Sequence, residues 1–313
     1  MSQFVSFRDC LVTIGAFQVY ATSVSLDMQT TLQKDVRLNG FDLERVGATV
    51  NDPALVPTDG VKGTLSVEFV VSKQHFSYDD VKNENTIASI FELNKQTSTE
   101  LQQFGRVGSY RFFNAGLKGF SFSMKPFDLI RARAEYEIFG SIIQVSKELD
   151  VVDNINPAEG LKSFGDVSVD GINLQDGSRF NVQLLSAQYK VSANRAYNFS
   201  IRANEHPIAN YVPGAIMPYR VSLSDMSIET QITSNKIIPA VNETGRMQHG
   251  FDGEDFSEIE IELQLFEAKD ESADGQSDLL AKFGCVGQVT QQSLSAQQGS
   301  YLNGNFTVRQ VIK

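Results

Sequence analysis

An alternation of apolar and charged residues between 129 and 142 constrains the fold more than any other feature of the sequence. Five apolar side chains alternate with four charged ones: Ile130, Ala132, Ala134, Tyr136 and Ile138 with Arg131, Arg133, Glu135 and Glu137. Because successive side chains of a β-strand point to opposite faces, this pattern predicts a strand with one apolar and one charged face. Residues 120–124 are its expected partner through a turn at Lys125–Asp128. We therefore predict a long hairpin over residues 117–142.

The rest of the chain is predicted to be mainly β, with one or two short helices. Alternation predicts strands over residues 17–29 (with a bulge near Thr22), 34–43, 61–72, 180–191, 195–203, 219–232 and 258–266, and an opening strand or arm over 4–14. The chain is predicted to close with two strands, 289–295 and 301–312, joined by a turn at 297–300. We expect 17–29 to pair with 34–43, and 180–191 with 195–203. Helical spacing predicts helices within 79–103 and 277–284. Segments rich in Gly, Pro and Asn predict projecting loops at 47–60 and 204–218.

The two halves of the chain present the same order of elements. A strand pair, a loop, a strand and a helical patch are followed by FGxVG, at Phe104–Gly108 and again at Phe283–Gly287. The hairpin 117–142 then matches 289–312, with Ser121–Ser123 falling on Ser293–Ser295. A repeat of this length predicts two fused domains. We place them at residues 1–150 and 166–313, with a linker at 151–165.

Composition excludes several classes of function. A net charge of −11 argues against a nucleic-acid-binding surface, which would be basic, but fits a surface past which nucleic acid slides. The isolated Cys10 and Cys285 favour two free thiols in a reducing compartment, although one disulfide is compatible with the sequence. We expect neither a signal peptide nor a transmembrane helix.

The sequence predicts no catalytic, cofactor or metal site. His75, His206 and His249 lack metal-ligand spacing, and we expect each to be exposed. The acidic run at 251–262 alternates on a strand from Glu258 onward, so its carboxylates share a face and do not converge as in a calcium loop. No nucleophile elbow or phosphate-binding loop is present. We therefore expect a protein that is not an enzyme.

This layout resembles the tail tube proteins of long-tailed bacteriophages. The resemblance is carried by the alternating runs 17–43 and 61–72, the predicted helix, the hairpin 117–142 and their counterparts in the second half. It implies two tandem β-sandwich or barrel domains with long hairpins, which pair between domains into a continuous inner barrel. Members with two domains in one chain form trimeric, pseudo-hexameric rings that stack into a DNA-conducting tube. The second copy departs from the pattern at 236–276.

The resemblance also implies roles for particular residues. The inner wall of the channel would carry Arg131, Arg133, Glu135, Glu137, Asn303, Asn305, Thr307 and Arg309. Contacts between stacked rings would use the two loops, at Asn51, Asp52, Pro53, Asp59, His206, Pro207 and Pro213. The implied partners are further copies of the chain, the tape measure, baseplate and terminator proteins, and passing DNA that is not specifically bound. The protein would be made in the host cytoplasm and reside in the virion.

Three alternatives remain open. A baseplate, distal-tail or tail-terminator component would share the fold family but cap the tube. An outer-membrane barrel is disfavoured by the missing signal peptide, the C-terminal Lys313 and the predicted helix. A glycan-binding or hydrolytic protein is compatible with an acidic β-rich chain, but no carboxylate pair stands out.

Overall fold

A computed structural model of the protein describes a large part of the chain. The described residues are 10–14, 17–29, 32–34, 55–57, 62–76, 78–79, 84–85, 104–113, 115–138, 142–144, 161–163, 166–173, 179–181, 184–198, 220–234, 258–266, 279–295, 298 and 303–312. The predicted mainly β class is confirmed, because these residues are almost all in antiparallel strands.

The described part of the first half contains thirteen strands and a short 3₁₀ helix at Lys73–Phe76. The strands are β1 (Leu11–Ile14), β2 (Phe17–Tyr20), β3 (Ser23–Gln29), β4 (Leu32–Lys34), β5 (Leu55–Pro57), β6 (Lys62–Val70), β7 (Tyr78–Asp79), β8 (Glu84–Asn85), β9 (Phe104–Val107), β10 (Tyr110–Phe113), β11 (Ala115–Met124), β12 (Arg131–Ile138) and β13 (Ile142–Gln144).

Seven strands lie in the residues of the second half that the structure describes. They are β14 (Val167–Asn173), β15 (Arg179–Asn181), β16 (Leu184–Asn198), β17 (Arg220–Ser234), β18 (Glu258–Phe266), β19 (Leu279–Ser295) and β20 (Asn303–Ile312). Strands of both halves join in one main sheet, ordered β15-β14-β18-β19-β20-β17-β16-β11-β12-β6-β3. A smaller sheet has the order β13-β10-β9-β1-β2.

The hairpin predicted over 117–142 is present as β11 and β12. Its turn is closed by the amide of Asp128, which donates to the carbonyl of Lys125 at 3.2 Å. The even-numbered side chains of β12 are buried, and the odd-numbered ones are exposed or half-buried. The second strand is shorter than predicted, because residues 142–144 leave it and join the smaller sheet as β13.

The main sheet contains the same four-stranded unit twice. The first unit has the order β3-β6-β12-β11, and the second unit, from the second half, has the order β16-β17-β20-β19. Their registers match rung for rung: Val24–Val67–Ala134–Phe120 in the first corresponds to Ala187–Ile232–Phe306–Gln292 in the second. Both hairpins also carry an extra residue at the same place, Lys118 in one and Thr290 in the other.

The two units are joined edge to edge, and their apolar faces contribute to one core. β11 of the first unit pairs with β16 of the second, so the sheet runs through without a break. Buried side chains from both halves form a single hydrophobic cluster. Phe283 of β19 packs on Phe122 at 4.5 Å and on Tyr189 at 5.5 Å between ring centroids. The domain boundaries at 150 and 166 stay a prediction. The end of the proposed linker packs against the hairpin, since the backbone of Lys162 is hydrogen-bonded to Val71 and Ile130.

Three predictions about strands and loops are corrected by the structure, and a fourth is not tested. The strand 17–29 divides at the predicted bulge into β2 and β3, and β3 pairs with β6 rather than with 34–43, of which all but Lys34 lies outside the described residues. Residues 184–198 form one strand instead of a pair, because Asn194 and Arg195 occupy a bulge and not a turn. Part of the loop 47–60 is strand β5. The loop 204–218 lies outside the described residues.

The structure contradicts the helix predicted at 277–284, and the core of the helix predicted within 79–103 lies outside the described residues. Residues 277–284 enter β19, because Ala281 and Phe283 pair across from Leu265 and Leu263 of β18. At the start of the predicted helix 79–103, Asp79 pairs with Glu84 in a small two-stranded sheet. Residues 86–103 lie outside the described residues.

The two FGxVG segments are not structurally equivalent. Phe104–Val107 forms β9, which turns at Gly108, whose φ of 54° suits a tight turn. Phe283–Gly287 lies inside the long strand β19. The hairpin register relates residues 172 apart (120 to 292), whereas the two motifs are 179 apart (104 to 283). The motif match is therefore not part of the repeat.

Candidate functional site

The structure places all eight predicted inner-wall residues on one face of the main sheet. We call it the polar face: the side of the two units opposite the shared core. Directly paired residues point to the same side of a sheet, so a row can be followed across both units. The row through Arg133 runs Glu68–Arg133–Ser121–Lys190–Glu229–Arg309. Arg131, Glu135 and Glu137 lie on this face beside Arg133, as Asn303, Asn305 and Thr307 do beside Arg309.

Most of these side chains are accessible. Arg131 and Arg309 are exposed, and the side chains of Arg133 and Glu135 are 49% and 39% exposed. Thr307 is the exception, because it is buried beside the bulge, where the hydroxyl of Thr290 donates to its carbonyl at 3.4 Å. Burial of Arg131 and Arg133 between the two halves would have argued against a place on the channel wall. Both residues are exposed.

The charges of the polar face are mixed in sign. Arg131, Arg133, Lys190 and Arg309 are interspersed with Glu68, Glu135, Glu137 and Glu229. The guanidinium of Arg133 lies 2.7 Å from the Glu135 carboxylate and 3.7 Å from that of Glu68. Exposed pairs of this kind add little to stability. Their consequence is electrostatic. Arg133 is ion-paired with glutamates, and Lys190 and Arg309 each lie opposite Glu229, so most of the cations on this face are balanced by a neighbouring anion.

All predicted inter-ring loop residues lie outside the described residues. These are Asn51, Asp52, Pro53, Asp59, His206, Pro207 and Pro213. Their role stays a prediction. His249 also lies outside them.

His75 is buried, contrary to the prediction that each histidine is exposed. It follows β6 in the 3₁₀ helix, where its ring meets Phe69 edge-on at 5.2 Å between centroids. The backbone N–H of Ser72 donates to its Nδ1 at 3.0 Å, which requires that nitrogen to be unprotonated. Burial lowers the pKa of His75 from 6.5 to about 4. No periodicity in the sequence marks this position, because the burial comes from chain reversal after β6.

The described residues offer no chemical centre. They contain no group of three His, Cys, Asp or Glu side chains that could hold a metal ion. Both cysteines are free, as the sequence favoured, and burial raises the pKa of the Cys285 thiol, which keeps it in its unreactive protonated form. The carboxylates of Glu260 and Glu262 share the face of β18 opposite its buried Ile and Leu residues, as predicted. Among the described helices, none is long and apolar enough to cross a membrane.

Phe127, at the tip of the hairpin, is an exposed residue that sequence patterns did not single out. Its side chain is fully exposed, and its backbone has φ of 61°, a region that bulky residues rarely adopt. The preceding Pro126 favours a turn whose next position requires positive φ. The Pro126–Phe127 dipeptide was therefore the sequence feature from which this turn could have been predicted.

Comparison with known proteins gives no match: neither a protein-family model nor a curated protein is detectably similar to this sequence.

Proposed function

We propose that the protein is a structural subunit of a phage tail tube, which assembles through its two β units into rings that stack around a DNA channel. Rings of three chains would present six units to the channel. The other partners would be tape measure, baseplate and terminator proteins, and the site of action would be the virion, after synthesis in the host cytoplasm. The protein would act without a cofactor or a catalytic residue.

The observation that carries this proposal is the repetition of one four-stranded unit, in one register, within a continuous sheet. A sheet that already joins two equivalent units edge to edge supplies the geometry by which further units extend it. Closing a sheet on itself also removes the exposed edges that otherwise promote aggregation.

The polar face supports the channel role. It extends across both units, opposite the core, so it is the surface that a closed sheet would direct toward water. Its mixed charges provide neither a continuous attraction nor a strong repulsion for a passing polyanion. A tube wall that lets DNA move needs a surface of this kind.

Electron microscopy of the purified protein, combined with its native mass, tests the proposal. Hollow rings whose mass is a multiple of 34.6 kDa and which stack into tubes are the expected result. Closed rings that never stack would favour a capping component such as a tail terminator. A monodisperse 34.6 kDa monomer at all concentrations would contradict both assignments.

A further inference from the structure

The two ends of the repeated units are complementary edges. Among the described residues, β3 pairs with β6 alone, and the segment 289–295 of β19 pairs with β20 alone. β3 is the first strand of the first unit, and this part of β19 is the last strand of the second unit in sheet order. The pair of units therefore has β3, a first strand, at one end and β19, a last strand, at the other.

The same two kinds of edge already meet once inside the chain. β11, the last strand of the first unit, pairs with β16, the first strand of the second. At this internal seam Phe122 lies opposite Tyr189, with ring centroids 5.4 Å apart, and Phe120 lies opposite Val191. Ser121 lies opposite Lys190 on the polar face.

The matched registers allow the seam to be transferred residue by residue. In the second unit, Gln292, Ser293 and Leu294 hold the places of Phe120, Ser121 and Phe122. In the first unit, Leu26, Asp27 and Met28 hold the places of Tyr189, Lys190 and Val191. Replacing each residue of the internal seam by its counterpart gives a pairing register between β19 and β3. Neither of these edges has a strand partner among the described residues.

We propose that β19 of one copy pairs with β3 of the next copy in the register of the internal seam. In this register Leu294 is paired with Leu26, Ser293 with Asp27, and Gln292 with Met28. The partner is a second copy of this chain. The inference rests on the proposed function only for its closure into a ring, since the pairing itself follows from the repeat.

The burial of β3 fits a missing neighbour. Met28 is 49% exposed, whereas its counterpart Val191, inside the internal seam, is 2% exposed. Leu26 is half-buried, whereas its counterpart Tyr189 is 6% exposed. An edge strand that keeps apolar side chains accessible is an aggregation hazard unless another strand covers it.

The residue types paired in the new seam are compatible. Leucine is paired with leucine at one position, and serine opposite aspartate avoids a like-charge pair. The contact is head-to-tail, joining different edges of the two copies. Contacts of that type generate rings when the rotation closes.

Cysteine pairs test the register directly. Asp27→Cys combined with Ser293→Cys, in a Cys10→Ser background, is expected to give disulfide-linked chains on a non-reducing gel after mild oxidation of the assembled protein. Directly opposed side chains on neighbouring strands are close enough for a disulfide. The matched control combines Asp27→Cys with Ser295→Cys, which moves one thiol about 7 Å along the strand. That control is expected to link at least tenfold less.

A second pair of variants tests the edge without cysteines. Met28→Asp is expected to leave the far-UV circular dichroism of the monomer unchanged and to abolish assembly, since it puts a charge on the apolar side of the edge. Gln29→Asp, on the other side of the same strand, is expected to assemble.

The outcomes separate this pairing from the proposed function. Tubes that form with preferential linkage of the control pair, or with no linkage of either pair, overturn the pairing and leave the tube assignment intact. Linked rings that do not stack support the pairing and contradict the tube. A persistent monomer overturns both.

Discussion

Phe122 of the first half packs against Phe283 of the second, with ring centroids 4.5 Å apart. Both lie in the cluster where the two units meet, next to Tyr189. Since the halves share a sheet and a core, we expect them to unfold together, in one cooperative transition.

Truncation of this contact should destabilise the whole molecule. Phe122→Ala is expected to lower the free energy of unfolding by about 3–5 kcal/mol, because it removes a buried aromatic ring and leaves a cavity. Ser123→Ala, the next residue on the polar face, should change it by less than about 0.5 kcal/mol. Denaturant titration of both variants measures the difference, and separate transitions for the two halves would contradict the shared core.

The same substitution should destabilise the protein at one FGxVG motif and have little effect at the other. A Cβ at Gly105 would collide with the ring of Phe112 and lie 2.5 Å from the carbonyl oxygen of Thr13. A Cβ at Gly284 would meet nothing within 4 Å. We expect Gly105→Ala to destabilise by about 2 kcal/mol or more and Gly284→Ala by less than about 0.5 kcal/mol. Equal shifts in thermal midpoint would contradict the structural difference between the motifs.

His75 should make stability depend on pH. Its pKa is lowered by burial from 6.5 to about 4, so the native state binds fewer protons than the unfolded chain between these values. The contribution of His75 to the free energy of unfolding is therefore complete above pH 6.5 and is lost as the pH falls toward 4. The loss is on the order of 3 kcal/mol.

The matched variant is His75→Asn, which keeps an acceptor for the Ser72 amide but does not titrate. Between pH 7 and pH 4.5 its free energy of unfolding should fall less steeply than that of the wild type. Parallel curves would mean that His75 is not buried in its neutral form.

Relief of backbone strain at the hairpin tip should stabilise the protein. Phe127→Gly removes the Cβ at a φ of 61° and is expected to raise the free energy of unfolding by up to about 1 kcal/mol. Phe127→Ala retains the Cβ and the strain, and should give no comparable gain. If alanine stabilised as much as glycine, exposure of the ring rather than backbone strain would be the cause.

The sequence predicted the strands whose alternation is set by a single buried face. Ile259, Ile261, Leu263 and Leu265 of β18, and the even-numbered residues of β12, are buried as their period of two requires. The hairpin match also predicted the correct offset between the units. These features could be predicted from the sequence because side-chain alternation is a local property of the backbone.

Sequence patterns failed where longer-range pairing decided the outcome. Leu279, Leu280 and Phe283 fit a helix or a strand, and pairing with β18 selected the strand. The phase change at Asn194 indicated two strands, although a bulge absorbs it within one. The polar face was identified in parts, but its continuity across the seam between β11 and β16 depends on a contact that no local pattern encodes.

The most direct test of the account is an end-on electron-microscopy average of the assembled protein. The proposed tail-tube assembly, in which three chains of 34.6 kDa form one ring, predicts a hollow ring with six repeats around a central channel, two from each chain. A solid particle without a channel, or a ring whose repeats do not number two for each chain, would contradict it.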